Sequence, residues 1–136
     1  MSETMMQPKR SAMKLALATK SEARYVEGRR AFFKYRDLGL TEATRGLARA
    51  QVTSAKAGMT QPTGWHWHVC EMQFVYILKG WVDLEFEDRG LVRLSAGDSV
   101  LIPGGTRHQE IRTSDDFELL ELSVPADMGT EACDPP

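Results

Sequence analysis

From Ala31 to Val124 the chain is a succession of short runs that alternate or concentrate apolar side chains and stop at Gly, Pro or Asp. Ala31–Tyr35 is aromatic and extended in character, and Gly46–Val52 alternates apolar and polar residues at period two. After a loop with Gly58, Pro62 and Gly64 come Trp65–Val69, Phe74–Leu78, Trp81–Phe86, Leu91–Leu94, Ser99–Ile102, His108–Arg112 and Phe117–Val124. Lys79-Gly80, Asp88-Arg89-Gly90, Ala96-Gly97-Asp98 and Pro103-Gly104-Gly105 separate them. Short strands with turn signals at intervals of about 8–12 residues fold into a sandwich or barrel. No long amphipathic helix follows residue 30, and no internal repeat is present.

The pattern divides the chain into three parts. Residues 1–28 are polar and poorly patterned, an arm that is either disordered or crosses to a second subunit. Residues 29–125 are the β-barrel domain, and 126–136 form a tail with little pattern. A hydrophobic content of 42% in 136 residues supports one core and one domain.

Charge narrows the partners. The chain carries 17 basic and 19 acidic residues with no Lys/Arg block, which gives no footprint for nucleic acid. No run approaches the roughly 20 apolar residues of a membrane span. The short apolar stretch at Met13–Ala18 is interrupted by Lys14 and does not read as a secretory signal. Cys70 and Cys133 are too few for a disulfide framework. These features lead us to expect a cytoplasmic protein with reduced thiols.

The chain has three histidines, His66, His68 and His108. On a strand, residues two apart face the same side, so the His66-x-His68 imidazoles project together. The third lies 40 residues after His68, directly beyond the Pro103–Arg107 turn that would aim its strand back toward a partner. Neutral imidazoles suit a divalent ion such as Fe, Mn, Ni, Zn or Cu, and three of them do not discriminate among these. Three unrelated surface or core histidines are the alternative.

At these positions the sequence resembles the cupin family. The first family motif, Gly-x5-His-x-His-x3-4-Glu-x6-Gly, is matched by His66, His68 and Gly80, with Gln73 in the glutamate slot and Thr60 in place of the leading glycine. The second, Gly-x5-Pro-x-Gly-x2-His-x3-Asn, is matched by Gly97, Pro103, Gly105 and His108, with Arg112 in place of the asparagine. The resemblance implies an all-β jelly-roll barrel, a double-stranded β-helix, holding one divalent metal ion on the three histidines and the residue in the glutamate slot. It also implies a homodimer.

Gln73 would offer that ion a neutral carbonyl oxygen where the motif has a carboxylate, leaving the ion its full charge and a preference for anionic ligands. Glu71, two residues out of the slot, is an alternative donor, and Gln73 acting behind a water is another. Glu110 and Arg112 share strand parity with His108, so all three are expected to face the barrel interior. There Arg112 would anchor an anionic substrate and Glu110 would handle a proton; a mutual ion pair or exposure at the barrel mouth is the other reading. Cys70 also has the parity of His66 and His68, as a pocket thiol or a small buried hydrophobe. Trp65 and Trp67 have the opposite parity and are assigned no chemistry.

Together these point to a metal-dependent enzyme, dioxygenase-like or isomerase/hydrolase-like, acting on a small anionic or diketone-like molecule. A barrel that binds a small molecule without turnover, or a degenerate cupin without activity, is the competing reading.

Overall fold

The computed structural model describes residues 11–136. The N-terminal half contributes β1 (Arg24–Val26), β2 (Phe33–Asp37), a single helical turn α1 (Leu40–Ala43), β3 (Arg49–Ala55) and β4 (His66–Val69). It is followed by β5 (Met72–Lys79), β6 (Trp81–Phe86), β7 (Gly90–Ser95) and β8 (Ser99–Pro103). The last three strands are β9 (His108–Thr113), β10 (Glu118–Val124) and β11 (Gly129–Ala132).

The strands form two antiparallel sheets, ordered β1-β2-β3-β10-β5-β8 and β11-β4-β9-β6-β7. Consecutive strands repeatedly cross from one sheet to the other, which gives the jelly-roll barrel that the motifs implied. Alternation places the core. In β5, Gln73, Val75 and Ile77 are buried, and the residues between them are not. Phe33, Tyr35, Val75, Ile77, Val82, Leu84 and Phe117 form the apolar cluster between the sheets. Ile77 and Phe117 are almost fully enclosed, and truncating a side chain of that kind to Ala typically costs about 2–5 kcal/mol.

Both ends of the chain carry more strand than their composition indicates. The short β1 lies within the expected arm and pairs with β2 through Arg24↔Asp37 to Val26↔Tyr35. The expected arm's residues 1–10 lie outside the described residues. At the other end, the expected tail supplies β11, which pairs with β4 and sets Thr130 opposite His68. A four-residue exposed strand with Gly, Thr and Glu has too little periodicity to be read from sequence.

One irregularity changes the site. Along β6 and β9, Asp83 pairs with Arg112, but Leu84 pairs with Glu110. Ile111 is therefore an extra residue, a β-bulge, and the facing of β9 shifts by one beyond it. His108 and Glu110 face the cavity before the bulge and Thr113 faces it afterwards. The inward placement expected for Arg112 is overturned: its side chain is half exposed and bonds Asp83 on the outer surface. Strand parity was the wrong rule there because it assumes an unbroken ladder.

Candidate metal centre and cavity

β4 carries His66 and His68 on its buried face, and β9 brings His108 opposite His66 in the register. The pairing follows from the Pro103–Arg107 turn, where Gly105 takes φ +84° and its N–H donates to the His68 carbonyl at 3.0 Å. Gly104 packs so closely on Cys70 that a Cβ would collide with the Cys70 carbonyl. The turn and the start of the histidine strand are thereby fixed to each other.

The three imidazoles are nearly fully buried, and one ring nitrogen of each lies within 4.8 Å of the others. Each ring is held from behind. His66 Nδ1 lies 2.8 Å from the Gly64 carbonyl, His108 Nδ1 lies 2.9 Å from the Thr106 carbonyl, and His68 Nδ1 lies 3.0 Å from Thr130 Oγ1. A carbonyl can only accept, so the hydrogen of His66 and His108 sits on Nδ1 and the lone pair on Nε2. Among the described residues the Nε2 atoms of His66 and His68 are buried without a hydrogen-bond partner, a costly state for a polar atom unless something else meets it.

Burial pulls His66 below its ordinary value, against the opposing pull of Glu110. Burial, with Arg29 and the other two rings, takes His68 down to about 3. These two rings are thus neutral near pH 7 and present lone pairs, the form a metal ion requires. Donor type, convergence and unpartnered nitrogens all fit a divalent cation.

Glu110 faces the same space. Its Oε2 is 3.4 Å from His66 Nε2 and accepts a hydrogen bond from Thr63 Oγ1 at 3.1 Å. Thr63 is further tied to the Glu110 backbone in both directions. Burial alone would raise the Glu110 carboxyl, but His66, Arg29 and His108 outweigh it and its pKa falls below the ordinary carboxylate value. The pull of the imidazoles acts only when they are protonated; beside a neutral His66, Arg29 is the main charge that favours the carboxylate form.

Gln73 is buried in β5, on the opposite sheet. Its Nε2 donates to Glu121 Oε2, which leaves Oε1 buried and without a hydrogen-bond partner among the described residues. Glu121 also accepts from Gln51 Nε2 at 2.8 Å. This buried carboxylate was not singled out in the sequence, since Phe117–Val124 reads as an ordinary strand. Thr63, Thr130 and Arg29 were missed likewise: each lies far in sequence from the residue it serves. Glu71, the alternative donor, is exposed at the turn before β5 and lies outside the cluster. Cys70 is partly buried, with its thiol pKa raised by burial.

The cavity reaches from His108 and Glu110 across to Gln73, Glu121 and Arg29. It is a tight space, with a volume of about 50 Å³. Val75, Val82, Leu84, Ile102, Phe117 and Leu119 make its wall mostly apolar, as is usual for small-molecule sites.

A family model for the cupin domain matches residues 53–125. The chain belongs to the cupin family. No curated protein matches this cupin in sequence. Among solved structures, Pac13 from Streptomyces, described as a nucleoside dehydratase, is similar at 17% identity, with 86% of this chain and 91% of that one covered and a TM-score of 0.59. Pac13 has also been solved with uridine. KdgF from a Halomonas species gives 19% identity, coverage of 82% and 94%, and a TM-score of 0.62. The Fe(II) form of HppE gives 13% identity, coverage of 80% and 60%, and a TM-score of 0.64. At these identities the likeness establishes the cupin barrel and not a shared reaction. Among the described residues, no helix is long and apolar enough to cross a membrane.

Proposed function

We propose that this cupin is a metal-dependent enzyme acting on a small anionic molecule, with His66, His68 and His108 as the ligands of one divalent ion. The observation that carries this reading is the convergence of three buried imidazoles beside an open cavity, two of them with unpartnered Nε2 atoms. The ion supplies Lewis acidity toward a bound oxygen when present. Gln73 is the candidate fourth donor, through the Oε1 that its bond to Glu121 leaves free.

Glu110 is the proton-handling residue. It is ionised near pH 7, adjoins the histidine cluster and is held by Thr63, so its Oε2 is poised to accept a proton from a substrate in the cavity. This favours isomerase- or hydrolase-like proton-transfer chemistry over the dioxygenase-like option. The apolar wall is what supports the competing reading, a barrel that binds without turnover. The expected homodimer and cytoplasmic setting belong to the same proposal.

Metal content by mass spectrometry tests the centre, on untagged protein purified without chelator and on the His66→Ala/His108→Ala double variant. Near-stoichiometric metal in the wild type that is lost from the folded variant supports the centre. A wild type that takes up none of the candidate ions, even on reconstitution, overturns it. Turnover is then sought by NMR with a panel of small oxo- and hydroxy-acids; its loss in Glu110→Gln, with metal retained, supports the base role.

A further inference from the structure

We propose that Arg29 is the anion-holding residue of the cavity, gripping the carboxylate of a small substrate whose other end faces the histidine cluster. This deepens the proposed function and rests on it for what happens at the histidine end.

Arg29 belongs to the segment that joins β1 to β2. Its backbone lies at the surface, but its side chain is only 25% exposed and lines the cavity. The segment is pinned there. A Cβ at Gly28 would run into the Tyr35 ring, and the Arg30 N–H donates to Tyr35 Oη at 3.1 Å. Arg29 is thus carried by a strap clamped onto a core tyrosine.

The guanidinium has charge nearby but no hydrogen bond among the described residues. Its Nη2 lies 3.7 Å from Glu121 Oε2, beyond good hydrogen-bond distance. Glu121 is already occupied: Gln51 donates to Oε1, Gln73 donates to Oε2, and Arg49 stands 3.7 Å from Oε1. Two arginines therefore share one carboxylate whose oxygens already hold amide hydrogens. The N–H fork of Arg29 remains available, and a fork of that shape fits a carboxylate in two parallel bonds. Tyr35, whose Oη accepts from the Arg30 N–H, also lines the cavity.

The rest of the cavity selects among anions. Glu110 and the Gln73 Oε1 acceptor also line the space. A dianionic phosphate would meet more repulsion from them than a monoanionic carboxylate. The anchoring role expected of Arg112 thus falls to a residue outside both family motifs.

The test compares 2-oxobutanoate with 2,3-pentanedione, in which an acetyl group replaces the carboxylate, and with inorganic phosphate. Binding is measured by calorimetry on the full chain, metal-loaded and metal-free. The wild type is expected to bind 2-oxobutanoate, and Arg29→Gln to weaken it by about 10-fold or more. Diketone affinity and metal content should not change, and Arg112→Gln should behave as wild type. If Arg29→Gln does not fold, Arg29→Lys carries the test, weakening the oxo-acid selectively. No binding of 2-oxobutanoate by the wild type, equal binding by the variant, an equal loss for the diketone, or tighter binding of phosphate would each overturn the assignment. A wild type that takes up none of the candidate ions on reconstitution, yet binds 2-oxobutanoate through Arg29, would sink the metalloenzyme reading alone.

Discussion

Thr130 Oγ1 lies 3.0 Å from His68 Nδ1, so the last strand of the chain supports a ring of the histidine cluster. The support is a side chain, unlike the carbonyls behind His66 and His108, and it can be removed by substitution. Thr130→Val keeps the shape and deletes the hydroxyl. Metal affinity should fall by about 10- to 100-fold, the usual effect of losing a partner behind a ligating histidine. Competition with a chromophoric chelator measures it, and an unchanged affinity would show that His68 is oriented without Thr130.

The family motif places a carboxylate where this chain has Gln73, and the bond from Gln73 to Glu121 explains why restoring it should fail. Gln73→Glu would set two buried carboxylates within hydrogen-bond distance, with no donor between them unless one is protonated. We expect a loss of about 3 kcal/mol at pH 7, the scale of an uncompensated buried charge. The double variant Gln73→Glu/Glu121→Gln should recover most of it. Urea unfolding of the four proteins gives the coupling, and simple additivity of the two changes would reject the pairing.

The histidines predict an acid response of the metal-free protein. His68 is held near 3 against an ordinary 6.5, and His66 is shifted the same way. The unfolded chain therefore binds protons at these sites that the folded chain refuses. Stability is complete above about pH 6.5 and declines as pH falls toward 3, by at most about 1.4 kcal/mol per pH unit for each ring. Asp83, lowered chiefly by its bonds to Arg93 and Arg112, adds a decline only below its ordinary 3.8. Chelator-treated protein unfolded in urea between pH 5 and 7 should show the slope, and His66→Ala/His68→Ala should flatten it. Equal slopes in the two proteins would mean the rings are not held neutral.

Asp83 also ties Arg93 and Arg112 across the outer face of β6, while Arg93 stacks on Trp81 at 3.8 Å. Both arginines are half exposed, so each bond is partly screened. Removing one should cost less than removing the nearly buried carboxylate they share. We expect Arg112→Gln to lose under about 1 kcal/mol and Asp83→Ala about 1.5–3 kcal/mol. A thermal melt that ranked them in the reverse order would contradict this arrangement.

The barrel was legible because its signal is repeated: each strand from β2 to β10 has its own alternation or apolar run, bounded by a turn. The histidine cluster was legible because spacing on one strand and the Pro103–Arg107 turn both constrain it. What escaped the sequence depends on contacts between distant segments. Thr130 reaches His68 across 62 residues, Gln73 meets Glu121 across 48, and Thr63 holds Glu110 across 47. None of these pairs has a local pattern. Arg112 failed for a different reason, since a bulge leaves no mark in hydrophobic periodicity when the extra residue, Ile111, is itself apolar.

That bulge means that membership of the pocket beyond His108 is decided by counting and not by residue type. Losing the bulge with Ile111 retained, so that Ile111 pairs with Asp83, would rephase the end of β9, carrying Arg112 inward and Thr113 outward while leaving every histidine in place. The gain or loss of one bulge is thus a route by which a barrel of this kind can exchange a neutral wall for a cationic one, keeping the histidines that would hold a metal and changing what it recognises.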